Sequence, residues 1–338
     1  MGKIYKYLLL DFFKTLILYF MILFFLISVI YFVRIAGLTS VMSLGFGDIF
    51  QIYFYYVPQI IMYTFPLTYF IALVVSLYNF SKDGEVLVLF TLGFSPKNVV
   101  LVYLLISFLV SLLLVFNSLI MMPLSEQASK NYIKIKKVES KIDIKSSELG
   151  QSIGSWNIFV KDKEGNIYKD ILLFSSDYNN NEQLILAKSA KFKTESGGIS
   201  LALVDGNSFS MGKDFVQTSF DTLKLSYKDS KDQLQNKGIV QYWLDAKNSQ
   251  YRAMWLCVYM LLSLFPFLSV MLAFCIGIVN IRVQRRNIAL WIGLVIFVYY
   301  GIIFQISQVY PLYGGILFVS LFFLASSVIF QRMIIRRY

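Results

Sequence analysis

Six stretches of this chain are apolar over about 20 residues or more, the length a helix needs to cross the hydrocarbon core of a bilayer. Nothing else in the sequence restricts the fold so sharply. In lipid every backbone N–H and C=O has to be satisfied inside the protein, and helices do this within one segment. The stretches run Thr15 to Leu38, Tyr53 to Tyr78, Val99 to Met122, Ala253 to Ile281, Ile288 to Val309 and Leu312 to Phe330. The first lacks a small-residue cleavage site and is too long for a secretory signal, so it is read as a span. Pro66 and Pro266 fall inside spans and are expected kink points.

Basic residues orient these spans. Lys3, Lys6 and Lys14 precede the first, Lys82 and Lys97 bracket the second loop, Arg282, Arg285 and Arg286 fill the fourth, and Arg332, Arg336 and Arg337 close the chain. All fall on one side of a six-span arrangement. The short loops on the other side, Thr39 to Gln51 and around Pro311, hold no Lys or Arg. The positive-inside rule therefore predicts cytoplasmic termini and an extracytoplasmic segment at 125–250. Three regions follow: 1–124 with three spans, 125–250 as a folded insert, and 251–338 with three more spans and a cytoplasmic end.

The insert has 18 lysines against 16 acidic residues, close to balance, which suits an ordinary folded domain and argues against a nucleic-acid surface. Most of the net charge of +11 is then left at the cytoplasmic membrane edge, facing anionic membrane lipid. Inside the insert the apolar period shortens. SWNIFVKD, IYKDILLFSS, LILAKSAKFKT, ISLALVDGNSFSM and FVQTSFDTLKLSY alternate in part, with turn chemistry at KEGN, NNNE, ESGG and MGKD. Five or more antiparallel strands in a sandwich or open roll are expected. SEQASKNYIKIKKVESK reads as a helical stalk leading in, and KDSKDQLQNKG as a polar segment leading out.

Several chemistries are disfavoured. The chain has no histidine, the commonest general base and metal ligand. Cys257 and Cys275, in one apolar helix, stand about 27 Å apart, beyond disulfide reach, and read as small buried hydrophobes. The nearest approach to a phosphate-cradling loop, Gly206 to Asp214, has five residues between its glycines instead of four and Asp214 where Ser or Thr would ligate magnesium. The span cores are nearly free of ionisable groups, which speaks against a proton-coupled carrier. Gln305, Ser307 and Gln308 read as interface-facing or helix-packing residues. No cofactor is expected on the chain itself, and any energy has to come from a partner or an ion gradient.

One loop stands out. SKDGEVLVLFTLGFSP, residues 81–96, places Ser81 or Asp83 as a cap, Asp83 and Glu85 in a first turn where the dipole favours acid, and Gly93 where a left-handed residue ends a helix. Pro96 blocks continuation. A helix over about 83–93 is predicted at the cytoplasmic surface. From the residues alone it is either a turn resting its apolar face on headgroups or a coupling helix gripped by a cytoplasmic motor.

The loop resembles that of the LptF and LptG permeases, the paired membrane subunits of the lipopolysaccharide exporter. Their pattern is Glu, seven residues, Gly, an apolar residue, and Ser or Thr, matched here by Glu85, Gly93, Phe94 and Ser95. A small residue, often Ser, precedes the Glu; Gly84 meets that in size without the hydroxyl. The layout of three spans, an outer β domain and three spans is similar over essentially the whole chain. YKYLLLDFFKTL and FVRIAG resemble LptF more than LptG. The resemblance implies an α-helical membrane protein with six transmembrane helices and an inserted all-β, jellyroll-like periplasmic domain, in the bacterial inner membrane. It implies a heterodimer with the homologous permease, and an LptB-like cytoplasmic ATPase dimer that carries the ATP and magnesium. It further implies LptC-like and LptA-like jellyroll partners in the periplasm, and lipopolysaccharide entering sideways from the outer leaflet between first and fifth spans.

Candidate residues follow from that resemblance. Arg34, the only charge in the outer half of the first span, suits lipid phosphate because its planar fork binds two oxygens at once; the alternative is snorkelling to the interface. Arg252, before the fourth span, is a second phosphate candidate or an interface marker. For ATPase coupling, Glu85 and then Asp83 are the acidic candidates, Leu89 and Phe90 the apolar contacts, and Gly93 the helix end. The competing readings are an unrelated ABC permease or secondary carrier, and a membrane sensor or scaffold with an outer β domain. A carrier would need midplane ion ligands, and a sensor a cytoplasmic signalling domain.

Overall fold

A computed structural model describes residues 2–40, 42, 44–93, 95–142, 151–153, 156–164, 167–176, 182–195, 198–211, 215–227, 238–244, 249–278, 287–311 and 313–335. The helices are α1 (Gly2–Ala36), α2 (Phe46–Lys82), α3 (Glu85–Thr91), α4 (Pro96–Phe116), α5 (Met122–Ile142), α6 (Ile239–Leu244), α7 (Gln250–Gly277), α8 (Ile288–Val309) and α9 (Tyr313–Phe330). A π-helical turn at Asn117–Met121 joins α4 to α5. Six helical segments among the described residues are long and apolar enough to cross a membrane: Ile4–Ser40, Phe46–Lys82, Pro96–Lys137, Gln250–Gly277, Ile288–Val309 and Tyr313–Ile335. The fifth coincides with the expected span, and the others shift at their ends. The fourth stops at Gly277 rather than Ile281, because Ile278 turns extended. Arg282, Arg285, Arg286, Arg336 and Arg337 lie outside the described residues, as do parts of all four expected turns and all but the glycine of KDSKDQLQNKG.

The chain divides into two compact units. The first comprises Met1–Arg34, Tyr53–Glu126 and Lys237–Tyr338, and the second Ile35–Ile52 and Gln127–Asn236. In the helical unit α7 packs against α4, α8 and α9. Its core gathers Phe70, Phe265 and Tyr299, all fully buried, with the Phe265 ring 5.5 Å from Phe70 and 4.4 Å from Tyr299. Pro266 removes one helical donor in α7, and the backbone near it is stitched to neighbouring helices instead. The Phe267 N–H donates to Ser111 Oγ of α4 at 3.2 Å, and the Tyr299 hydroxyl of α8 donates to the Leu261 carbonyl at 2.8 Å. In α2 the sequence reading found Pro66 and missed Pro58, whose carbonyl accepts from Asn117 Nδ2 at 2.9 Å. That bond binds α2 to the π-turn of the third span. Gly277 lets α7 close on α2: a Cβ there would lie 2.6 Å from Leu77 Cβ and 2.9 Å from the Val74 carbonyl.

The second unit holds one antiparallel sheet in which each strand pairs with the next in sequence, β1 (Gln151–Ile153), β2 (Trp156–Glu164), β3 (Ile167–Ser176), β4 (Glu182–Glu195), β5 (Gly198–Met211) and β6 (Phe215–Tyr227). Of the two expected forms, the open roll is the closer. Along β2 to β6 one residue per strand drops out of the pairing on a common row, with the register the same on either side: Lys161, Asp170, Lys188, Asp205 and Asp221. Asp170 and Asp205 have φ of 49° and 55° there. A skipped residue reverses the alternation of faces, since side chains change face at every residue. Thus Ile171 and Leu173 are buried on one side of the row and Tyr168 on the other, as are Ile185 and Ala187 against Ala190. Residues from both sides join one buried cluster, so the sheet curls over its own inner face. The row is charged throughout and alternates in sign from β2 to β5, with Lys161 3.6 Å from Asp170 and Lys188 3.2 Å from Asp205. These exposed pairs contribute about 0–1 kcal/mol each and serve mainly to keep the outer side of the bend wet.

The α1–α2 connection belongs to the same unit as the sheet. Asp48, in the first turn of α2, accepts the Gly45 N–H at 2.9 Å through Oδ2, the return leg of a capping box. Through Oδ1 it accepts the Tyr132 hydroxyl at 2.6 Å and meets Lys136 Nζ at 3.2 Å, both on α5. The expected stalk is α5, and its side chains hold that connection in place.

Candidate functional site

The loop at 81–96 is built around two glycines. α2 runs through Lys82, and the chain then turns at Gly84 with φ 77°, a left-handed conformation that a side chain would strain. This corrects the expected cap. Ser81 lies inside α2, Asp83 is in the turn, and Gly84 is the N-cap with no side-chain cap bond. The helix is also shorter than expected, seven residues from Glu85 to Thr91. At its other end Gly93 has φ 87°, as expected, and its N–H bonds the Phe90 carbonyl. Phe94 lies outside the described residues, and Ser95 is the N-cap of α4 with Pro96 in the first turn. Two left-handed glycines therefore isolate one short helix between two spans.

That helix has distinct faces. Val86 is buried, and Leu89 and Phe90 are half-buried against the bundle core. Val88 and Leu92 are exposed, at 56% and 67%. The candidate contacts Leu89 and Phe90 lie one helical turn beyond Val86 and pack in part against the bundle core, whereas Val88 and Leu92 are the exposed apolar side chains among those described. Asp83 and Gly93 are exposed. Glu85 is half-buried and accepts the Tyr7 hydroxyl at 3.2 Å. One turn further along α1, Asp11 Oδ2 accepts Ser76 Oγ of α2 at 2.8 Å. Sequence reasoning passed over Tyr7 and Asp11. The available signal was that Asp11 is the only acidic residue in the first 47, set directly against an apolar run.

The two arginines differ. Arg34 is exposed in the last turn of α1, where the helix dipole favours a cation, with its guanidinium 5.9 Å above the Tyr56 ring. Arg252 is part of a clasp. Its guanidinium lies 5.0 Å above the Tyr242 ring, and Nη1 donates to the Tyr242 carbonyl at 3.3 Å. The Tyr242 hydroxyl donates to Glu126 Oε2 at 2.7 Å, and Trp243 Nε1 donates to the Leu119 carbonyl in the π-turn at 2.9 Å. Burial first, and then the Glu126 carboxylate, hold the Tyr242 phenol well above its ordinary range. The clasp therefore ties α6, on the returning strand of chain, to the start of α5 on the outgoing one. α6 was absent from the sequence reading because six residues flanked by polar linkers carry too little periodicity to announce a helix.

Six spans, an inserted sheet, and a short glycine-bracketed helix after the second span can be set beside known families. The family described as lipopolysaccharide export system permease LptF/LptG matches residues 6–335. The chain belongs to the LptF/LptG family. It is a lipopolysaccharide export permease, a transporter subunit and a multi-pass inner-membrane protein of a system with further subunits. The match describes LptF and LptG together. Curated proteins gave no match. Within this LptF/LptG chain, Glu85 and Gly93 of the loop motif sit at the two ends of α3, so the motif spacing is the length of one short helix plus its left-handed stop.

Proposed function

We propose that this permease is the LptF-like subunit of an ATP-driven exporter that lifts lipopolysaccharide from the outer leaflet of the inner membrane and passes it to a periplasmic β-jellyroll bridge. It pairs with the homologous permease, an LptB-like ATPase dimer docks on α3, and LptC-like and LptA-like proteins continue from the sheet. Its termini face the cytoplasm and the sheet lies in the periplasm. The chain hydrolyses nothing itself; ATP and magnesium belong to the ATPase.

The observation that carries this reading is α3. A seven-residue helix held at both ends by left-handed glycines, rooted in the bundle core through Val86, Leu89 and Phe90, and offering Val88, Leu92 and Asp83 outward, is a rigid knob. A force applied to it enters the bundle through Val86, Leu89 and Phe90. Arg34, exposed at the outer end of α1, is proposed to meet the lipid phosphates. Arg252 is already engaged with Tyr242, so its loss acts first on the α6 clasp.

Co-expression with the homologous permease and the ATPase, followed by purification, tests the reading. The ATPase and lipopolysaccharide should both be retained, and hydrolysis should rise with added lipopolysaccharide. Leu92→Asp should release the ATPase, and Arg34→Glu should leave the complex assembled while lowering lipid crosslinking. Hydrolysis by the isolated chain, full ATPase recovery with Leu92→Asp, or a protease map that puts the sheet in the cytosol would each overturn it.

A further inference from the structure

We infer that Tyr7 is a positioning residue for transport: by holding Glu85 it makes the foot of α1 follow α3. This rests on the reading of α3 as the ATPase dock and adds to it the path by which a displacement of α3 leaves the loop.

The foot of α1 is fastened where the rest of the helix is mostly uncovered. Leu8 and Phe12 are buried at 4% and 0%, whereas Ile17, Met21, Phe25 and Val33 are exposed at 57–71%. Three polar contacts cluster within two turns. The Tyr7 hydroxyl donates to Glu85 Oε1 at 3.2 Å, Asp11 Oδ2 accepts Ser76 Oγ at 2.8 Å, and the Leu8 carbonyl accepts the Tyr103 hydroxyl at 3.3 Å. The Tyr7 ring also stands edge-on to Phe80 at 5.8 Å. These contacts divide by what they reach. Ser76 and Phe80 belong to α2, and Tyr103 to α4, so they fix α1 to the bundle. Glu85 is the first residue of α3. Only the Tyr7 hydroxyl, among these contacts, crosses the left-handed turn at Gly84 and joins α1 to the helix beyond it.

The placement matters because Gly84 is the compliant point of this corner. A residue with φ 77° and no side chain lets α3 pivot against the end of α2. A pivot at Gly84 would leave α1 behind if α2 were its only attachment. With Tyr7 bonded to Glu85, α1 is pulled at its first turns by the same motion. A helix is stiff along its axis, so a shift at its foot is carried along its length. Glu85 is suited to the task, because its second carboxylate oxygen has no partner among the described residues and can face a basic group on the ATPase while the first holds Tyr7.

The test uses the complete complex with both permeases and the ATPase in proteoliposomes loaded with lipopolysaccharide. Tyr7→Phe deletes one oxygen and keeps the ring against Phe80, so folding is preserved. The expected result is wild-type ATPase recovery, continued ATP hydrolysis, and roughly fivefold less lipopolysaccharide delivered per ATP, the size of one ordinary hydrogen bond lost. A purely structural role would lower thermal stability and activity together and leave that ratio unchanged. An unchanged ratio overturns the proposal, and so does loss of the ATPase from the Tyr7→Phe complex, which would make Tyr7 part of the dock. Leu92→Asp separates the two layers: if it keeps the ATPase, the docking reading fails and the link with it, whereas if it loses the ATPase while Tyr7→Phe keeps the wild-type ratio, only the link fails.

Discussion

The inner pair of spans, α2 and α7, and the outer pair, α1 and α8, are similarly greasy in sequence and differ sharply in the folded bundle. Within the most apolar 18 residues of each, 67% and 72% are buried in the inner two, against 17% and 11% in the outer two. Lipid tails are as apolar as leucine, so burying a leucine between helices gains little over leaving it in the bilayer. What distinguishes the inner pair is small and hydroxyl-bearing residues. Thr64, Thr68 and Ser76 in α2, and Ser263 and Ser269 in α7, are fully buried, and Gly277 allows backbone contact. The outer pair keeps one narrow seam each, Leu8, Phe12 and Leu16 on α1 and Tyr299, Ile303 and Ser307 on α8. Apart from Ser28, Tyr31 and Ile35 near the far end of α1, most of the remaining surface of both helices is uncovered in the single chain. The inner pair is a frame, and the outer pair is held to it along narrow seams.

Breaking the frame should cost the most. Phe265→Ala empties a fully buried position between Phe70 and Tyr299 and should lower stability by about 3–5 kcal/mol in a denaturant titration of the detergent-solubilised protein. A loss below about 1 kcal/mol would mean the frame is not load-sharing there. Gly277→Val should follow at about 1–3 kcal/mol, because its branch meets the Val74 carbonyl, which has no rotamer with which to give way. If it melts with the parent, α2 and α7 do not touch as closely as described. Tyr299→Phe keeps the packing and removes only the bond to Leu261; a shift of about 1 kcal/mol is expected, and none at all would show that the Leu261 carbonyl does not depend on this donor. Least affected should be Phe297→Ala on the exposed side of α8, where residue exposure is 81% and the expected change is within about 0.5 kcal/mol for the single chain. The same variant should weaken pairing with the second permease if that face is covered in the complex, so size-exclusion of the co-expressed pair sharpens what α8 is for.

Within the candidate site the same contrast recurs at smaller scale. Gly93, Pro96 and the acidic start of α3 were legible because helix ends are local matters, set by φ and by the dipole. The inward turn of Leu89 and Phe90 was not. In a run as uniformly apolar as EVLVLFTL the face that packs is chosen by the neighbour rather than by periodicity. Arg252 shows it again: its position before a span was plain, but its partner Tyr242 and the Glu126 beyond it are 10 and 126 residues away in sequence. Likewise Tyr7 and Glu85 are 78 residues apart.

What the chain of residues determined by itself was everything that one segment and its solvent decide together: six membrane-length helices, a stalk, alternating strands, and a short helix between two spans. Their physical cause is local, since lipid demands satisfied backbone within each segment and left-handed turns demand glycine. Only the tertiary structure decided which helices form the frame, where the sheet bends on its row of charged residues, and which side chains clasp one stretch to another. Those choices rest on close approach and on hydrogen bonds between distant residues, and an apolar sequence reads the same whether its neighbour is a lipid tail or another helix.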